Sequence, residues 1–148
     1  MIMETKNKGF DTGIASEYLV LSMLYRLGID AYMTLGNKKS VDIWIRNDDG
    51  VDISIDVKSV RAFDSVPVRN VVAKDNHYIV FVIYNNKFED ILTLPNFYIV
   101  PSEYVVRNRT EFDLKSGGKT YNIFKKDIKD YINRWDLLKK KVIVINYK

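Results

Sequence analysis

The sequence predicts a single α/β domain with a mixed β-sheet, and three observations lead to that prediction. Two stretches with helical spacing of apolar residues lie near the two ends of the chain, at residues 13–27 and 127–141. Several short runs between them have strand patterns, and residues 78–84 are apolar on both faces, as in a central strand. No repeat or linker interrupts the 148 residues, a length that suits one core. We therefore expect one domain over residues 1–148.

The first predicted helix covers residues 13–27, with Thr12 as its N-cap and Gly28 as its stop. Glu17 falls near the centre of its apolar sector, where a carboxylate costs several kcal/mol unless it is paired or bound to a cation. Hydrogen bonding to neighbouring backbone, or pairing with Lys58, is the structural alternative. A first strand at residues 29–36 follows this helix.

Residues 40–59 predict a β-hairpin, because apolar and polar residues alternate on both sides of an Asp-Asp-Gly turn. A three-residue loop needs a positive φ at its last position, and Gly50 provides it without steric cost. This loop places Asp42 opposite Asp56, and Lys58 on the same face by alternation. Like charges directly opposite each other destabilise a sheet. This arrangement is therefore unfavourable for stability alone, but it is well suited to binding a divalent cation.

The later part of the chain predicts shorter elements. We expect a short crossover helix or a loop within residues 61–76, a strand at residues 97–100, and a short helix capped by Ser102. A polar loop or hairpin at residues 107–120 contains two adjacent glycines, and residues 142–147 have the pattern of a last strand or a docking segment. The second amphipathic helix, at residues 127–141, lies between them.

The composition excludes several classes of site. The chain has no cysteine, which removes disulfides and thiolate chemistry, and its one histidine, His77, argues against a histidine-based metal site or a Ser-His-Asp triad. No apolar run reaches the roughly 20 residues of a membrane span, and the N-terminus lacks the pattern of a signal peptide. We therefore expect a cytoplasmic protein. The net charge of +4 is compatible with nucleic-acid binding but does not establish it.

Glu17 on a helix, Asp42 at the start of the second strand and Asp56-Val57-Lys58 on the third occur in the order typical of one family. In this respect the sequence resembles the PD-(D/E)XK nuclease superfamily, in particular its small stand-alone bacterial and archaeal members. The resemblance covers residues 13–84 as the core, with a C-terminal strand and helix added over residues 97–141. One departure is Val41, which occupies the place of the family's proline.

The resemblance implies a restriction-endonuclease-like fold, with a mixed central β-sheet flanked by helices. It also implies a Mg²⁺-dependent endonuclease that hydrolyses phosphodiester bonds, in which Mn²⁺ can substitute for Mg²⁺. Asp42, Asp56, the Val57 carbonyl and Glu17 would hold the metal, whereas Lys58 would orient the attacking water. Glu17, Asp42, Asp56 and Lys58 are therefore the expected catalytic residues.

The expected substrate is nucleic acid, with DNA favoured over RNA, and members of this superfamily often act as homodimers. Lys38 and Lys39 precede the strand of Asp42, and Arg61 follows that of Lys58, so these residues are the predicted contacts to phosphates. The alternative hypothesis is a catalytically idle module on the same fold that binds a nucleic acid or a protein.

Overall fold

The computed structural model describes residues 8–34, 41–62 and 64–139. In chain order the regular elements are α1 (Lys8–Arg26), β1 (Ala31–Met33), β2 (Ile43–Ile45), β3 (Ile53–Val60), β4 (Ser65–Pro67), β5 (His77–Ile83), β6 (Asn96–Pro101), α2 (Ser102–Asn108), β7 (Thr110–Asp113) and β8 (Lys119–Phe124). Three short 3-10 turns follow β8, at Lys125–Asp127, Lys129–Tyr131 and Trp135–Leu138. Among the described helices, none is long and apolar enough to cross a membrane.

Within the described residues, the main sheet has five strands in the order β1-β2-β3-β5-β6. β3 and β5 run parallel and the other pairs are antiparallel, so the sheet is mixed, as predicted. β5 is almost entirely buried, because its two faces belong to two apolar clusters. The first cluster packs against α1 through Val20 and Leu24, and the second lies on the opposite face around Phe81.

The predicted bounds of α1 and its predicted buried face are partly wrong. The described helix already includes Lys8, so Thr12 is not its N-cap; the Thr12 hydroxyl donates instead to the Lys8 carbonyl, at 2.6 Å. Tyr18, an apolar residue of this helix, is exposed, whereas the polar Ser16 is fully buried. Packing against the sheet, and not the number of apolar residues in a sector of the helix, determines which side is covered. Gly28 adopts a positive φ just beyond the helix, as expected of a C-terminal glycine.

The connection between the parallel strands β3 and β5 contains no helix among its described residues, so of the two predicted alternatives the crossover helix is wrong. Its middle forms β4, which pairs with β8 in a second, three-stranded antiparallel sheet of order β4-β8-β7. Residues 68–76 continue to β5 without regular structure. The apolar side chains of this connection, Val66, Val68 and Val71, cover the face of the main sheet that α1 does not cover.

The C-terminal region has turns where an amphipathic helix was predicted for residues 127–141. Asn133 adopts a left-handed conformation and its amide donates to the Phe97 carbonyl, so the chain pairs briefly with β6 instead of continuing a helix. α2 begins at Ser102, but the Ser102 hydroxyl bonds to the backbone of Lys74 and does not cap the helix. The predicted hairpin at residues 107–120 is present as β7 and β8. Residues 142–147 lie outside the described residues.

Candidate active site

The hairpin of β2 and β3 has the predicted register. Ile43 pairs with Ile55 and Ile45 with Ile53, around a turn in which Gly50 has a φ of 82°. β2 begins at Ile43, and the residue just before it is Asp42. Extended by one residue, the same register brings Asp42 beside Asp56.

Asp42 lies where β2 separates from β3. Its amide donates to the Ile55 carbonyl at 2.9 Å, and its Oδ2 accepts a hydrogen bond from the Val57 amide at 2.7 Å. A carboxylate therefore replaces the neighbouring strand as the partner of the Val57 backbone. Since the N–H and C=O of a strand residue point to the same side, the Val57 carbonyl is directed towards this gap as well.

Asp56 and Lys58 occupy alternate positions of β3, on the face opposite to α1. Their pairing partners in β5 are Ile79 and Phe81, which belong to the second apolar cluster. The Lys58 Nζ lies 3.4 Å from Asp56 Oδ2. Asp56 is only 9% exposed, so this lysine gives a nearly buried carboxylate partial compensation for its charge.

Glu17 reaches the same gap from α1. It lies on the flank of the buried stripe formed by Thr12, Ser16, Val20 and Leu24, and its side chain is half-buried. Its carboxyl group shares a hydrogen bond with Asp42 and also interacts electrostatically with Asp56. The structure thus brings together all four predicted catalytic side chains, from three different elements.

Crowding of these carboxyl groups changes their proton affinity. Burial, together with the charge of Asp42 and the hydrogen bond to it, raises the pKa of Glu17 to about 7. Burial and the hydrogen bond to Asp42 likewise raise the pKa of Asp56 to about 7, although the Lys58 ammonium opposes the change. At neutral pH the cluster therefore shares protons that isolated carboxylates would have lost.

The donor set fits a hard divalent cation, since Mg²⁺ prefers oxygen ligands and retains several waters. Asp42 and Asp56 would be its side-chain ligands, with the Val57 carbonyl and Glu17 next to them. Among the described residues, however, no three acidic or imidazole groups converge into a ready-made metal cage. We interpret the carboxylates as an open row with Asp42 in the middle, in which at most two side chains would bind one ion directly.

The predicted phosphate contacts are not part of this cluster as far as the structure describes them. Arg61 Nε donates to Thr12 Oγ1 at 2.7 Å, and the guanidinium lies 3.9 Å from the centre of the Phe88 ring. These contacts give Arg61 a structural role that connects the end of β3 to α1, and its role in substrate binding stays a prediction. Lys38 and Lys39 lie outside the described residues.

A polar pair between β3 and β5 was not predicted from the sequence. Ser54 Oγ and His77 Nδ1 are 2.7 Å apart, and both residues are buried. Burial, with a smaller effect from Lys74, lowers the pKa of His77, so the imidazole is held neutral. The signal in the sequence was the spacing of Ser54, Asp56 and Lys58, which places three polar residues in succession on one face of a central strand.

The described residues form an α/β fold with a mixed five-stranded sheet, a helix across one face and an acidic cluster where β2 separates from β3. A solved structure with a similar fold is that of a bacterial homing endonuclease, I-Ssp6803I. The likeness covers 86% of this chain and 88% of that chain, with a TM-score of 0.56 and 16% sequence identity. At this identity the likeness shows the fold alone. No family profile and no curated protein matches the sequence.

Proposed function

We propose that this chain is a nuclease that depends on a divalent metal ion, Mg²⁺ or Mn²⁺, and hydrolyses phosphodiester bonds in DNA. The observation that carries the proposal is the meeting of Glu17, Asp42 and Asp56 with Lys58 at one gap in the sheet. Carboxyl groups that raise one another's pKa destabilise the folded chain. Such a cluster therefore indicates a functional site. The nuclease-like fold, shared with a homing endonuclease, supports the same conclusion.

The chemistry assigns a different task to each side chain. A bound divalent cation would neutralise phosphoryl charge and lower the pKa of a water molecule. Asp42 and Asp56 would hold that cation, and the Val57 backbone, already bonded to Asp42, would keep the first carboxylate in place. Lys58 would lie beside the reacting phosphate, where its ammonium would stabilise developing negative charge and orient the attacking water.

Two substitutions test the assignment. We expect Lys58→Ala and Asp56→Ala each to lower metal-dependent cleavage on the order of 100-fold or more, because the first removes the cation beside the reacting phosphate and the second removes a ligand of the metal ion. The measurement is the initial rate on linear duplex DNA, single-stranded DNA and RNA with Mg²⁺ or Mn²⁺. Lys115→Ala and Asp75→Ala are matched controls on the exposed surface, and circular dichroism checks the fold of every variant. Full activity of either cluster variant would contradict the proposal.

The second candidate function is a catalytically idle module that binds a nucleic acid or a protein. The open arrangement of the carboxylates within the described residues favours it, as does the engagement of Arg61 with α1. Calorimetric titration of the chain with Mg²⁺ and Mn²⁺ separates the two functions. Binding that Asp56→Asn abolishes supports the nuclease, whereas no heat of binding at millimolar metal supports the idle module.

A further inference from the structure

The part of the main sheet formed by β1 and β2 carries two aromatic side chains on the face opposite to α1. Ile43 and Ile45 of β2 belong to the apolar cluster that packs against α1, so Trp44 between them lies on the other face. Tyr32 of β1 is the pairing partner of Trp44 and is 40% exposed. Neither aromatic residue belongs to an apolar cluster of the described residues, so packing of the core does not account for them.

This aromatic pair lies on the same face of the sheet as the acidic cluster. Asp42 is two residues before Trp44, which places the two about 7 Å apart along the chain at roughly 3.4 Å per residue. On β3, Ser54 is the pairing partner of Trp44, and Asp56 follows two residues later on the same face. A nucleotide next to a phosphate held at the cluster would therefore lie within reach of the aromatic pair.

The charged residues near the aromatic pair are of both signs. Arg46, two residues after Trp44, has its guanidinium 5.9 Å from the centre of the Tyr32 ring. Asp52 lies nearby as well, because its Oδ1 accepts a hydrogen bond from the Asn47 amide at 3.3 Å. A carboxylate beside the arginine weakens the attraction of this surface for phosphates. The aromatic rings, and not a basic patch, are therefore the feature that a nucleic acid can use here.

We propose that Tyr32 and Trp44 form a stacking platform for unpaired bases of the DNA whose phosphodiester bond lies at the acidic cluster. The inference rests on the proposed nuclease function and adds a substrate class to it, a single-stranded segment. Every base has an aromatic face, and stacking on aromatic side chains holds a single strand without reading its sequence. Bases within a duplex are covered on both faces by their neighbours, so a duplex must open before it can use the platform.

The continuity of the platform with the acidic cluster favours a nucleic-acid strand over a protein as its occupant. A protein docked on Trp44 would also cover Asp42, two residues away, and would close the cluster to a phosphate. A strand of DNA would use both features at once, with a phosphate at the metal ligands and the adjoining bases on the two rings. Its remaining phosphates would face the solvent, away from Asp52.

Fluorescence anisotropy of a labelled oligothymidylate, with a chelator present so that nothing is cleaved, tests the platform. We expect Trp44→Leu and Tyr32→Leu each to weaken binding roughly fivefold to 100-fold, because each keeps an apolar side chain but removes a stacking surface. Trp44→Phe should retain most of the affinity, since it keeps a ring. A hairpin duplex of equal length should bind more weakly than the single strand.

The matched control is Phe112→Leu, because Phe112 is an aromatic residue of similar exposure, 42%, on a strand of the second sheet. Circular dichroism checks the fold of every variant. Tryptophan fluorescence gives a second measurement, since the chain has two tryptophans and the other one, Trp135, is only 8% exposed. Bases that stack on Trp44 should quench its emission, and Trp44→Phe should remove this quenching while binding persists.

Equal weakening by Trp44→Leu and Phe112→Leu would overturn the inference, as would unchanged affinity in both platform variants, tighter binding of the duplex, or no binding of any oligonucleotide. The nuclease proposal fails by a different result. It is refuted if the chain with Mg²⁺ or Mn²⁺ cleaves no substrate, even though the platform variants lose affinity for the single strand. Cleavage that needs Asp56 and Lys58 but is accompanied by no effect of the platform variants refutes this inference alone.

Discussion

β3 contributes to two groups of buried polar side chains, and the two groups differ in how their hydrogen bonds and charges are satisfied. Ser54 and His77 form a neutral pair whose hydrogen bond satisfies both partners. Two residues further along the same face, Asp56 shares a gap with Asp42 and Glu17, and within the described residues Lys58 offsets part of their charge. The first group is complete without a ligand. The second is complete only with bound protons or a cation, and this difference distinguishes a structural polar pair from a candidate site.

Metal binding should show the largest difference between the two groups. We expect saturating Mg²⁺ to raise the melting temperature of the chain, with about 2.7 kcal/mol of stabilisation at 100 times the dissociation constant. Asp56→Asn should abolish this stabilisation because a ligand is lost, whereas Ser54→Ala should retain it. Differential scanning calorimetry with and without Mg²⁺ measures both. An equal response of the two variants would show that the carboxylates are a structural group like Ser54 and His77.

The pH dependence of stability without metal should show the next largest difference. The unperturbed pKa values are 4.5 for Glu17 and 3.8 for Asp56, and both are raised to about 7 in the fold. The folded chain therefore binds more protons than the unfolded chain between about pH 4 and 7, and stability falls as pH rises through that window. Glu17→Gln should reduce this slope and stabilise the chain at pH 8, on the order of 1 kcal/mol after solvent screening.

The urea midpoint, measured from pH 4 to 8 in the presence of a chelator, checks this prediction. His77 gives a contribution of opposite sign, because its pKa is lowered and its stabilisation is lost as pH falls below about 6.5. Stability that rises steadily from pH 4 to 8 in the native chain would contradict the assignment of raised pKa values to the carboxylates.

The smallest effect is expected for the neutral pair. Ser54→Ala should cost about 1 kcal/mol because the His77 ring loses a buried partner, and cleavage should change little. Urea denaturation and the cleavage rate together measure this outcome. A loss of cleavage comparable to that of Asp56→Ala would extend the candidate site to Ser54 and His77, and the contrast between the two groups would no longer hold.

The sequence identified most of the candidate site because the site depends on local geometry. The turn at Gly50 and the alternation of residues 53–58 determine the hairpin register, and the register brings Asp42 towards Asp56. The sequence predicted the helices less accurately than the strands of the site. Residues 127–141 have a helical pattern, but pairing of Ile132 with Tyr98 and the left-handed Asn133 end any helix there. Tertiary contacts overrode local propensity at this point.

By itself, the sequence determined the strand alternation, the turn and the residue types of the cluster, since each follows from chain geometry over a few residues. Only the tertiary structure decided that Glu17 meets Asp42, because this requires the packing of α1 against a particular face of the sheet. It also decided the Ser54 and His77 pair, which depends on the parallel alignment of strands distant in sequence. Contacts across such distances are set by burial of the core, which favours one arrangement of the elements over all others.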